Sequence, residues 1–177
     1  MTDVSIVNDS TDPSPIDQCL NRWHAVLSGD RGVLETLVGD DAVFRSPIVY
    51  TPQRGRDLVL LYLTGASLTF GGDGASGPPV AGPRPDTGGA ARAATTDPDG
   101  RPWDGRFRYV RTVTGTHDAV LEFETTMQGT YVNGVDMIRC DDAGMIVDFT
   151  VMIRPLQAVH KVHQVMAAAL DELAGGA

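Results

Sequence analysis

Between Arg106 and Arg154 the chain alternates apolar and polar residues in four runs, "RFRYVRTVTG", "HDAVLEFETTMQG", "TYVNGVDMIRC" and "MIVDFTVMIRP". Few folds accommodate that pattern. A period of two makes each run a strand with two different faces, and the short breaks at Gly115, Gly129 and Gly144 make consecutive strands antiparallel neighbours. In the first run Phe107, Tyr109 and, by the same alternation, Arg111 oppose Arg106, Arg108 and Val110. In the last, Phe149, Val151 and Ile153 are the inward set, which leaves Asp148, Thr150, Met152 and Arg154 on the opposite face. A one-residue slip of register would exchange the two sets.

Helices flank this meander. Ser14 as N-cap, Pro15 at the first helical position and Asp17 in the first turn predict a helix whose buried stripe is Ile16, Cys19, Leu20, Trp23 and Leu27. "SGD" ends it and "RGVLETLVG" forms a short second helix. "DAVFRSPIV" then reads as a strand, with Ala42, Phe44 and Ser46 on one face, closed by Pro47 and Pro52. Leu58, Leu61, Tyr62 and Leu63 suit a third helix between Gly55 and Leu68. After Pro155 a last helix repeats Val159, Val162, Met166, Ala169 and Leu173, a stripe for the sheet or for a second subunit. Residues 71–105 are rich in Gly and Pro and nearly empty of large apolar groups, so they read as a flexible surface insertion. A lid is the alternative, with Trp103 as its anchor. Residues 1–13 read as a disordered tail, and 14–177 as a single domain.

A hydrophobic share of 42% supports one proper core in a chain of 177 residues. The net charge of −9, with Lys161 the single lysine, argues against nucleic acid, which is bound through clustered basic side chains. No apolar run reaches the roughly 20 residues of a membrane span, and the acidic start lacks the features of a signal peptide, so the cytoplasm is the expected location. Cys19 and Cys140 read as small core residues. No cofactor motif is present. His160 and His163, three residues apart with no third ligand, read as a solvated face, so no metal is expected.

The order of two helices, a strand, a third helix and a terminal meander is α+β. Together with "RWHAVLSGD", "DDAVFRSPIVYTPQRG" and "GVDMIRCDDAGMIVDFTVMIRP", it resembles the nuclear transport factor 2-like superfamily, nearest its SnoaL-like and ketosteroid-isomerase-like members. The resemblance implies a cone-shaped fold in which N-terminal helices cover the concave face of a curved antiparallel sheet. It also implies a deep apolar pocket for a hydrophobic small molecule, and a homodimer formed through the outer face of the sheet. In the steroid isomerases the strand before the "AG" turn carries a protonated Asp that donates to the developing enolate, and "DMIRCDDAG" puts Asp136 there.

The residues agree in part. Asp136 shares the less polar face of its strand with Val132, Ile138 and Cys140, and an acid on an apolar face resists ionisation. Other isomerase positions depart: Ser46 stands where the general base is expected, and Trp23 where the partner Tyr is. Epoxide hydrolases of this fold pair two Asp residues with an Arg, but the inward set of the last strand holds no second acid. His24 is a candidate base, because imidazole exchanges protons near neutral pH, or else a packed histidine. Trp23, Phe44, Ser46, Tyr50, Tyr62, Ile138, Phe149 and Val151 are the candidate pocket residues, and Met127 lies either there or in the core. Asp136 itself is either functional or a buried acid satisfied by backbone N–H groups, Arg45 or Arg139. Two readings stand: a lyase, isomerase or cyclase acting by acid/base chemistry on an apolar carbonyl compound, and a non-catalytic ligand-binding or accessory protein.

Overall fold

The computed structural model describes residues 12–70, 97 and 99–175, and the side chains of all of these except 67–70 and 168–175. Most of the expected tail and insertion, and the Ala169 and Leu173 side chains, therefore lie outside the described residues. The first helix, α1 (Pro15–Leu27), starts as its sequence dictates: Ser14 Oγ accepts from the Asp17 amide at 3.3 Å, and the Asp17 carboxylate accepts from the Ser14 amide at 3.1 Å. Its buried face is Ile16, Cys19, Leu20, Trp23 and Val26. Leu27 is exposed instead, because the three-residue step from Trp23 to Val26 keeps to the inner face in the last turn.

The second helix, α2 (Arg31–Leu37), is shorter than expected. Val38 and Gly39 already belong to β1 (Val38–Arg45), where β-branched Val38 pairs with Ile146 and is fully buried. This strand stops at Arg45, before Pro47, so its alternation does not reach Ser46. A two-residue strand, β2 (Gln53–Arg54), pairs back onto it. The third helix, α3 (Arg56–Phe70), buries Val59 and Leu63 one turn apart, with Tyr62 half-buried, while Leu58 and Leu61 turn outward.

The meander forms as expected: β3 (Arg108–Thr114), β4 (Asp118–Met127), β5 (Thr130–Cys140) and β6 (Ile146–Arg154) are antiparallel neighbours. The curved six-stranded sheet runs β2-β1-β6-β5-β4-β3. One pair is parallel, β1 with β6, and the long chain between those strands makes that crossover possible. Register fixes the faces. Leu121, Asp136 and Val151 lie side by side across β4, β5 and β6, as do Ala119, Ile138 and Phe149. Phe149 and Val151 are buried as expected, and Asp148 lies on the outer face in an ion pair with Arg45.

The last helix, α4 (Leu156–Gly175), buries Ala158, Val162 and Met166 against α3, β5 and β6, while Val159 is only half-buried. Gly144, in the left-handed region at φ +70°, lets the β5–β6 turn close on the start of α1: a Cβ there would lie 3.1 Å from the Pro15 carbonyl oxygen.

The described end of the insertion is fastened to the outer face. Arg108 Nη2 donates to Asp97 and to Glu124, each at 2.9 Å, with Trp103 stacked 5.1 Å from the guanidinium. Thr126 donates to the Gly105 carbonyl through both its amide and its hydroxyl. Trp103 donates to the Arg106 carbonyl, with its ring 6.1 Å from that of Tyr131. It is an anchor, but on the side of the sheet away from Asp136, which removes the one residue that supported a lid.

Candidate active site

Asp136 lies mid-way along β5, and the pleat sends its side chain to the concave face. There it is 6% exposed, enclosed by Leu121 and Val151 on the flanking strands and by Gly134 and Ile138 along its own. Neither expected cation reaches it: Arg45 pairs with Asp148, and Arg139 with Asp118 at 2.7 Å. Its partner is Tyr109, whose hydroxyl donates to Asp136 Oδ2 at 2.6 Å. Trp23 Nε1 donates in turn to the Tyr109 oxygen at 2.8 Å. A helix, an outer strand and a central strand thus contribute one group each to a single relay.

Burial pushes the Asp136 carboxyl up from its ordinary 3.8 to about 7, and the Tyr109 hydrogen bond, which favours the carboxylate, opposes part of that rise. Burial also drives the Tyr109 phenol well above its usual range, helped by the adjacent carboxylate. The pair therefore combines an acid that exchanges its proton near neutrality with a phenol that keeps its own.

Tyr109 was not among the candidate residues. Its inward alternation with Phe107 was legible, but the contact depends on a β-bulge. Tyr109 pairs with Phe123 and Arg111 with Glu122, so Val110 is extra and the alternation changes sign after it. Tyr109 stays inside, while Arg111 moves to the outer face, where its Nε lies 3.1 Å from Glu122.

The other candidates divide. Trp23, Phe44, Ile138, Phe149 and Val151 are buried on the concave side. The ring centroids of Trp23 and Phe149 are 5.1 Å apart, those of Phe44 and Phe149 6.1 Å, and those of Phe44 and Tyr62 5.4 Å. Met127 is buried there too. His24 is exposed, with its ring 6.1 Å from that of Tyr109, which puts it at the rim. Ser46 and Tyr50 do not join the site. Ser46 Oγ accepts from the Ile48 and Val49 amides in a turn, and Tyr50 is fully exposed, because the chain leaves the sheet at Pro47. Both line an open cleft of about 390 Å³ outside the cone. A second cleft, about 210 Å³, lies between Arg111, Val135, Met152 and Arg154, and neither includes Asp136.

Cys19 and Cys140 are buried free thiols, and burial pushes Cys19 up to about 12. Among the described residues no group of three or more His, Cys, Asp or Glu side chains is placed to share a metal ion. Nor is any helix among them long and apolar enough to cross a membrane.

Helices packed into the hollow of a curved mixed sheet, with an acid on the concave face, define a cone-shaped α+β protein. Its fold is that of nuclear transport factor 2-like and ketosteroid-isomerase-like proteins. The chain is similar to a steroid delta-isomerase from Pseudomonas aeruginosa, at 26% identity over 92% of this chain and 96% of that one, with a TM-score of 0.70. A bacterial protein with a cystatin-like fold from Silicibacter pomeroyi DSS-3 is 24% identical over 85% of this chain and 83% of its own, with a TM-score of 0.61. An NTF2-like protein of unknown function from Mesorhizobium loti shares the fold at 15% identity and a TM-score of 0.53, over 81% of this chain and 97% of its own. No family profile and no curated protein matches the chain by sequence.

Proposed function

We propose that the concave face is an apolar small-molecule pocket in which Asp136 performs acid/base chemistry on a carbonyl compound, in a reaction of the isomerase, lyase or cyclase type. The observation that carries this is the Trp23–Tyr109–Asp136 relay, a buried acid held by directed hydrogen bonds instead of being neutralised by a cation. Tyr109 occupies Oδ2, so Oδ1 is the atom offered to the substrate. In its neutral form the carboxyl donates from Oδ1 to the carbonyl oxygen and stabilises the negative charge that develops there. Trp23 fixes the Tyr109 oxygen and so acts through it, as a positioning residue. Ser46 Oγ is engaged by two amides and has no part as a base, which leaves His24 at the rim to exchange the second proton. The likeness to a steroid delta-isomerase supports the reaction class, and the changed residues argue for a different substrate.

Among the described residues no second acid stands beside Asp136, and this favours a non-catalytic reading: the same cone holds a hydrophobic ligand without turning it over. Under either reading we assign the protein to the cytoplasm and to a homodimer through the outer sheet face. Val113, Val120 and Met152 support that dimer, since they lie exposed on this face.

Turnover of a carbonyl panel by the native protein and two variants tests the assignment. Asp136→Asn is expected to lower the rate at least tenfold. Tyr109→Phe is expected to lower it less and to shift the pH profile upward, since it removes a hydrogen bond that favours the carboxylate. An unchanged rate in Asp136→Asn would remove Asp136 from the chemistry. Absence of turnover in the native protein would favour the binding reading.

A further inference from the structure

The Asp136 carboxyl stands in the cone without a positive partner. Tyr109 donates to one of its oxygens, and among the described residues no Lys, Arg or His forms an ion pair with it. His24 lies beyond Tyr109, on the exposed side. Beyond Leu121 and Val151, aromatic side chains share the face of the acid. Strand register makes Phe123 and Phe149 its diagonal neighbours on β4 and β6, one on each side. Trp23 packs edge-on to Phe149 at 5.1 Å, and Phe107 joins Phe123 to Tyr109 at 5.2 and 5.1 Å. The rings therefore continue past the carboxyl in both directions.

A lone carboxyl in an aromatic wall is the chemistry that recognises an organic cation, through a charge-assisted hydrogen bond and the negative faces of the rings. We propose that this site binds a protonated amine on an apolar skeleton, with its N–H donating to Asp136 and its carbon atoms against Trp23, Phe123 and Phe149. The net charge of −9 favours the approach of such a ligand over that of an anion. This goes beyond the carbonyl reading: that substrate needs the carboxyl neutral, whereas an ammonium needs it ionised and supplies the missing counter-charge. Binding of this kind requires no turnover.

Calorimetric titration at neutral pH with N,N-dimethylbenzylamine tests it, against the uncharged isostere isobutylbenzene and the ketone acetophenone. The native protein is expected to bind the amine at least tenfold more tightly than it binds isobutylbenzene, and tenfold more tightly than Asp136→Asn does. Tyr109→Phe is expected to bind the amine more weakly than the native protein does at neutral pH, and to recover at higher pH, because it removes a hydrogen bond that favours the carboxylate. Equal affinity for amine and isostere, equal affinity of native protein and Asp136→Asn for the amine, or no amine binding at all would each overturn the proposal. Acetophenone binding without amine binding would overturn it while leaving the carbonyl reading intact. Amine binding with no carbonyl turnover would uphold it and sink the enzymatic reading.

Discussion

Asp136→Asn is expected to be more stable than the native protein at pH 8 and no more stable at pH 4. The native carboxyl takes up its proton near 7, because burial penalises the charge, while the unfolded chain does so near 3.8. Below the lower value both states are protonated and the penalty is absent. Between the two values the native state keeps a proton that the unfolded state has released, so stability falls as pH rises. Above about 7 the loss is complete. The gap between the two values corresponds to roughly 4 kcal/mol.

An Asn at this position carries no charge at any pH, and its carbonyl oxygen can still accept from Tyr109. Its amide group replaces Oδ1 and, left without an acceptor, costs about 1–3 kcal/mol. The variant is therefore expected to gain on the order of 1–3 kcal/mol at pH 8, a rise in Tm of several degrees in a chain of this size, and to lose about as much at pH 4. Urea denaturation of both proteins at pH 4, 6 and 8 reads this directly. A stability difference that stays constant across that range would mean that Asp136 is not held neutral by the fold. The same charge that weakens the fold is what the proposed chemistry uses, a conflict typical of functional sites.

The facing of Asp136 was legible because β5 is paired along its length on both sides. The period of two then decides which side chains share its face, and an apolar face predicts an acid that holds its proton. The outward facing of Asp148 followed from the same regularity in β6. Reading failed where the period is interrupted. Nothing in "RFRYVRTVTG" announces that Val110 is extra, and that one residue turns Arg111 to the outer face while Tyr109 stays inside. The β1 alternation, carried one residue past Arg45, puts Ser46 on the inner face, and Tyr50 is a pocket candidate for its aromatic ring, but the chain leaves the sheet at Pro47. The Trp23–Tyr109–Asp136 relay joins residues 86 and 27 positions apart. Periodicity identifies faces, and only the curvature of the sheet and the seat of α1 in its hollow decide which residues of those faces meet.

Gly134→Ala is expected to destabilise the protein by about 3 kcal/mol, the upper part of the range for overpacked cores. Glycine inside a strand is ordinarily unfavourable, since it adds flexibility and no packing surface. Here the space is needed. A Cβ on Gly134 would lie 2.5 Å from the Met152 carbonyl oxygen and 2.5 Å from Phe123 Cζ. The first contact is with backbone of β6, directly beside Gly134 in the β5–β6 pairing, and it cannot swing aside without parting the strands. The second is with a ring that is 2% exposed and stacked on Phe107, which in turn packs edge-on to Tyr109. Displacing Phe123 therefore loads the partner of Asp136, and weakening the Tyr109 hydrogen bond removes the one influence that holds the carboxyl down. Urea denaturation of Gly134→Ala gives the stability loss, and carboxyl-carbon NMR titration gives the Asp136 pKa, expected to move upward. Adding Phe123→Leu should relieve the ring contact and leave the backbone contact, so the double variant is expected to recover part of the loss. A single-variant loss below about 1 kcal/mol would show that β5 and β6 separate easily at this point, and the aromatic wall would then not be what holds Tyr109 against Asp136.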